Sequence, residues 1–198
     1  MPLNGILFFL LFFLAAVIVF SGCSRRQYGD RSRLVVQDDE LREHLERSRQ
    51  LENNERNGRA EQLSLRLNVP LTPNDNLNLY EYINGWIGVP HRLGKMSKSG
   101  TDCSGFVYMV YNEVYGKQLR RTSADMLKIN CRRVEKSQLR EGDLVFFYNK
   151  NRSQTPSHVG IYLKEGRFVH ASSSHGVTVN RLDEKYYVQH WMCGGTVK

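Results

Sequence analysis

The sequence predicts an α+β fold, with helices first and an antiparallel sheet after them. Apolar residues recur at three- and four-residue intervals between Leu77 and Val114. Beyond Leu144 they gather instead into short β-branched and aromatic runs divided by turn residues. A chain of 198 residues, 40% hydrophobic and 24% charged, holds one ordinary domain with a true core plus appendages.

The N-terminus is the first appendage. Residues 6–20, ILFFLLFFLAAVIVF, are uninterruptedly apolar but shorter than the roughly 20 residues that span a bilayer, which fits the core of a signal peptide. Ser21-Gly22-Cys23 follows, and small residues before a cysteine at that place resemble the lipobox of bacterial lipoproteins, with Cys23 as the lipidated residue. The expected organisation is a signal peptide at 1–22, a lipidated Cys23 with a polar tether over 23–75, and a folded domain over 76–198. The tether has too few apolar residues to bury and reads as a spacer with a transient helix near Leu41 and Leu45.

In the folded part, Leu77, Leu79, Tyr80, Ile83, Trp86 and Ile87 make a first helix stopped by Gly88 and Pro90. Thr101 or Asp102 caps a second, whose apolar face is Phe106, Val107, Val110 and Val114 and which Gly116 ends. Thr122 with Asp125 opens a short third helix over 123–129. Strands are expected at 144–148, 159–163, 167–171 and 177–180, with Glu165-Gly166 turning a hairpin.

The whole net charge of +8 falls in 76–198, where 18 basic residues face 10 acidic ones, while ten of each balance over 24–75. The basic residues are scattered, only Arg120-Arg121 and Arg132-Arg133 being adjacent, so no nucleic-acid partner is read. Four cysteines are too few for a disulfide scaffold, and Cys131 and Cys193 are left either paired or free. No Cys-x-x-Cys or His-x-x-x-His pair occurs, so neither metal nor cofactor is expected.

The chemistry gathers at Cys103 in TDCSGF. It falls in the first turn of the second helix, where unpaired N–H groups are expected to lower a thiol's pKa from about 8.5. Ser104-Gly105 leave room for a substrate beside it. His158 and His170 lie on strands joined by the hairpin, which brings two imidazoles within reach of each other. His44, His175 and His190 read as surface residues.

TDCSGF (101–106), SHVGIY (157–162) and FVHAS (168–172), in this order and spacing, resemble the NlpC family of papain-like bacterial cell-wall cysteine peptidases. GVPHRLG (88–94) and LREGDLVF (139–146) extend the likeness to roughly 76–185. It implies a papain-like fold and a lipoprotein murein endopeptidase that cuts an amide in the stem peptides or cross-links of peptidoglycan through a thioester. It implies Cys103 as nucleophile, His158 as base and later acid, and His170 as its orienting partner. The backbone N–H of Cys103 would help hold the oxyanion. Asp102 and Ser104 would line the site, Asp102 facing a substrate amine, and His91 stands where the family usually has Tyr. A monomer on the periplasmic face of an outer membrane is implied for a Gram-negative source. An amidase or thiol acyltransferase on the same machinery, and a weakly active peptidoglycan-binding module, are the alternatives.

Overall fold

The computed structural model describes residues 30–148 and 155–198, with side chains from residue 38 onward; the apolar run at 6–20 and Cys23 lie outside the described residues. The chain divides into two units, 1–46 and 47–198. In the first, residues 38–46 are an exposed stretch of helix that includes Leu41 and Leu45. Among the described residues no helix is long and apolar enough to cross a membrane.

Helix α1 is continuous from Asp30 to Leu67, where the sequence suggested a spacer with only transient helix. The reason lies in its last turns. Ala60, Leu63 and Leu67 fall on one stripe and are buried, and Val69 follows them into the core. Arg59 reaches Glu81 at 2.6 Å, and Arg56 donates to the Pro73 carbonyl. The core thus extends back into the segment assigned to the tether, well before the expected boundary at 76.

α2 (Leu77–Asn84) starts at Asn76, whose side chain accepts from the Leu79 N–H, and buries Leu77, Leu79, Tyr80 and Ile83. A two-residue ribbon, β1 (Met96–Ser97) and β2 (Gly100–Thr101), precedes α3 (Cys103–Tyr115). Asp102 caps α3 at one end, and Gly116 in the left-handed region closes the other. The third helix is a single turn, α4 (Ser123–Asp125), capped by Thr122 and widened into a π-turn at Met126–Asn130.

Six antiparallel strands follow: β3 (Cys131–Val134), β4 (Leu144–Phe147), β5 (His158–Tyr162), β6 (Arg167–Ser172), β7 (Gly176–Arg181) and, after α5 (Lys185–His190), β8 (Trp191–Val197). Their order is β3-β8-β4-β5-β6-β7. The four strands expected are present. β3, β8 and α5 were not foreseen.

The sheet is covered on both faces. Leu144, Phe146, Val159, Ile161, Val169 and Ala171 join Trp86 and the buried faces of α2 and α3. Strand alternation sends Val145, Phe147 and Phe168 to the other face, where they meet Leu182 and Tyr187 of the C-terminal segment. The register also answers the cysteine question. Cys131 pairs with Val197, four residues along β8 from Cys193, which at about 3.4 Å per residue is too far for a disulfide, and both are free thiols.

Candidate active site

Asp102 seats Cys103. Its Oδ1 accepts the Gly105 N–H at 2.7 Å, and its Oδ2 accepts the Gly94 N–H at 2.7 Å. Arg121 forks onto both oxygens at 2.9 and 2.6 Å, and its Nη1 also donates to the Ser104 hydroxyl, which in turn bonds Oδ1. Arg121 and these N–H groups hold the Asp102 carboxyl below the usual carboxylate range against the opposing effect of burial. Asp102 and Ser104, both buried, are therefore engaged by their own chain, and Asp102 seats the start of α3. The space beside Gly105 is likewise taken. A Cβ there would lie 2.6 Å from the Lys95 carbonyl and 2.8 Å from Met96 Cγ, so this glycine admits the 95–96 loop rather than a substrate.

α3 packs on β5 and β6, which brings Cys103 to the end of β5 that His158 opens. The pairing of β5 with β6 runs only over Ile161–Val169 and Tyr162–Phe168. Beyond it, the Val159 N–H turns to the Cys103 sulfur. Burial pushes the thiol up and the nearby Asp102 charge adds to this, while the N–H groups of Val159, Ser104 and Cys103 itself pull the other way. The lowered pKa expected from the helix N-terminus is not found, because the cost of burying a charge outweighs that end's partial charge.

His158 and His170 project on the face shared with Phe147, Phe168 and Tyr187. His158 Nε2 and His170 Nδ1 are 2.8 Å apart, with the two rings nearly perpendicular. Burial pushes the His158 imidazole well below its ordinary range, and His170 and His91 add to the effect. Burial also lowers His170, against the hydrogen bond to Asn180. At neutral pH both imidazoles are uncharged. With Nε2 engaged by His170, Nδ1 of His158 is the nitrogen left to take a proton.

His91 stands beside this pair. The 88–91 loop is tied to the sheet by Gly88 N–H to Val177 O at 2.8 Å and Val177 N–H to Val89 O at 2.9 Å, and to β2 by a bridge between His91 and Thr101. His91, His158 and His170 line one cavity of about 550 Å³, together with Tyr148, Asn180, Glu184, Tyr186 and Tyr187. His175 and His190, read as surface residues, line its outer part. Among the described residues no group of three or more His, Cys, Asp or Glu is arranged to hold a metal ion.

The chain as a whole, rather than its site, can be compared with known proteins. Residues 88–196 match the NlpC/P60 family, which is more than half of the chain. The chain belongs to the NlpC/P60 family. NlpC/P60 is a cysteine peptidase family. A probable endopeptidase NlpC homolog of Haemophilus influenzae is 42% identical over 106 residues, covering 54% of this chain and 54% of that protein. Murein DD-endopeptidase MepS/murein LD-carboxypeptidase of Escherichia coli K12 is 42% identical over 102 residues, covering 52% of each. The chain thus spans about half the length of the curated relatives it matches. An NlpC/P60 family protein of Bacillus cereus superposes with a TM-score of 0.53 at 26% identity, over 61% of this chain and 38% of that one. The papain-like α+β arrangement is therefore the NlpC/P60 fold.

Four contributors carried no sequence motif. Arg121 was visible only as half of a basic pair; Asn180 sits on a polar-alternating strand; and Glu184 and Tyr187 follow in the unforeseen C-terminal turn and helix.

Proposed function

We propose that this chain is a peptidoglycan hydrolase, a murein endopeptidase that cleaves an amide bond in the peptide part of the cell wall. The observation that supports the reading is the 2.8 Å His158–His170 imidazole pair lining an open cavity, with Cys103 at the start of a helix packed against the strand that His158 opens. The murein endopeptidases among its relatives supply the substrate class.

In this mechanism His158 Nδ1 takes the Cys103 thiol proton as sulfur attacks the amide carbon. The C=O electrons move to oxygen, and the oxyanion is held by N–H groups at the start of α3, that of Cys103 among them. His158 then gives its proton to the leaving amine, the C–N bond breaks, and a thioester remains. Water, deprotonated by His158, attacks the thioester and releases the carboxylate product and the thiol. His170 keeps the His158 ring in register throughout. His91, which lines the same cavity as His158, is assigned to donate to the substrate carbonyl.

The N-terminal reading belongs to the same proposal: Cys23 carries lipid, and the chain acts as a monomer tethered at the periplasmic face of the outer membrane. Purified sacculi are the test. Cys103→Ala should abolish release of soluble muropeptides while circular dichroism stays that of the wild type, and undiminished release would overturn the proposal. Mass analysis of the products separates endopeptidase from amidase or acyl-transfer chemistry.

A further inference from the structure

We infer that Asn180 and Glu184 are positioning residues that select, through His170, the tautomer in which His158 accepts the thiol proton. The inference rests on the reading of Cys103 and His158 as nucleophile and base.

The chain of constraints begins at Glu184, whose carboxylate oxygens can only accept. They lie 3.1 and 2.9 Å from one terminal atom of the Asn180 side-chain amide, so that atom must be the NH2 nitrogen. The Arg181 N–H, at 2.6 Å from Glu184, holds the carboxylate in place. The other amide atom is then the oxygen, an acceptor, and it faces His170 Nε2 at 3.0 Å. An acceptor there requires the proton of neutral His170 on Nε2, which leaves Nδ1 with its lone pair. That lone pair faces His158 Nε2 at 2.8 Å and so fixes the His158 proton on Nε2. Nδ1 of His158 is left unprotonated, the form a base needs.

A competing partner makes the selection matter. The Tyr187 hydroxyl also lies 3.0 Å from His170 Nε2. As a donor it would favour the opposite tautomer, with His170 protonated on Nδ1 and His158 on Nδ1, and the base would be blocked. Asn180, oriented by Glu184, tips the balance, and the Tyr187 O–H turns to the cavity it lines. The other charged or titratable groups acting on His170 are His158 and, by charge alone, Glu184 and His175.

The test uses the full chain with 15N-labelled histidine, read by the ring-nitrogen shifts and by the rate of Cys103 alkylation with iodoacetamide. Wild type should show the Nε2–H form at both His158 and His170. Asn180→Ala should move both to Nδ1–H and slow alkylation by about a hundredfold, the low end of what a positioned base contributes. Asn180→Asp, which can only accept, should keep the Nε2–H forms. Glu184→Ala should mix the tautomers, and adding Asn180→Asp to it should restore one. The inference is overturned if Asn180→Ala keeps both Nε2–H forms, or if the tautomers switch while alkylation is unchanged. Should Asn180→Ala fail to fold, Glu184→Ala with and without Asn180→Asp decides by the same readouts. Neither readout needs peptidoglycan, so a wild-type protein inert on sacculi would sink the proposed function and still test this inference.

Discussion

Replacing Asp102 with Ala isolates what holds Cys103 in place. The substitution removes the N-cap of α3, about 1 kcal/mol. It also strands the Gly94 N–H, about another 1 kcal/mol. Asp102 is 5% exposed, but the Arg121 side chain is 36% exposed, so solvent screens the ion pair and its loss adds no more than about 1 kcal/mol. The total is about 3 kcal/mol, or a fall in Tm of roughly 6–12 °C for a domain of this size. Urea denaturation at pH 7, followed by Trp86 and Trp191 fluorescence, measures it. Asp102→Asn, which keeps a cap acceptor and loses the charge, should fall between the two. The sign with pH follows from the lowered carboxyl. The stabilisation is complete above the ordinary value of 3.8 and lost as pH falls through the lower folded value. The gap between wild type and Asp102→Ala should therefore be constant from pH 5 to 8 and narrow below 3.8. A gap under about 0.5 kcal/mol at pH 7, the range of an ordinary surface change, would refute the seating role.

The buried imidazoles set a second pH dependence. Their folded pKa values lie below the ordinary 6.5, so below that pH the unfolded chain binds more protons and stability should fall on acidification. Replacing His170 with Asn should reduce that slope, as read from urea midpoints between pH 7 and 5. Gly160→Ala would put a Cβ 2.7 Å from the Val169 carbonyl and 3.1 Å from His170 Cβ, wedging β5 from β6; a loss of about 2 kcal/mol or more and weakened hydrolysis are expected in denaturation and sacculus assays. Cys23→Ser should abolish incorporation of labelled palmitate and release the chain from the membrane fraction.

Legibility in the sequence followed the range of the interactions. Asp102, Thr122 and Gly116 act within one helical turn, so the bounds of α3 and α4 were readable from neighbours in the chain. β4 to β7 were readable because their apolar runs are dense. β3 was not, since CRRV buries only its two ends, and β8 was not, since WMCGGTV carries two glycines. Those glycines make sense only in the assembled sheet, where a Cβ on Gly194 would meet Val134 and one on Gly195 would meet Phe146 and Cys131. α1 hid its burial in three residues, Ala60, Leu63 and Leu67, within a polar helix. At the site, the meeting of His158 and His170 could be read from hairpin spacing. Arg121, Asn180, Glu184 and Tyr187 could not, because each meets its partner through a register or turn that no local pattern fixes.

The raised thiol and lowered imidazole bear on how such a site works. A thiolate–imidazolium pair would already have consumed the N–H groups of Val159, Ser104 and Cys103 in the resting state. Burial keeps both partners neutral at pH 7, so those donors meet only a weak sulfur acceptor until a substrate arrives. In the proposed mechanism charge then develops on sulfur and on the carbonyl oxygen together, in front of dipoles that are already aligned. Interactions stronger in the transition state than in the ground state are the ones that accelerate a reaction. On this reasoning the start of α3 contributes through the charge that forms during attack, and the resting pKa of Cys103 understates its reactivity towards a bound amide.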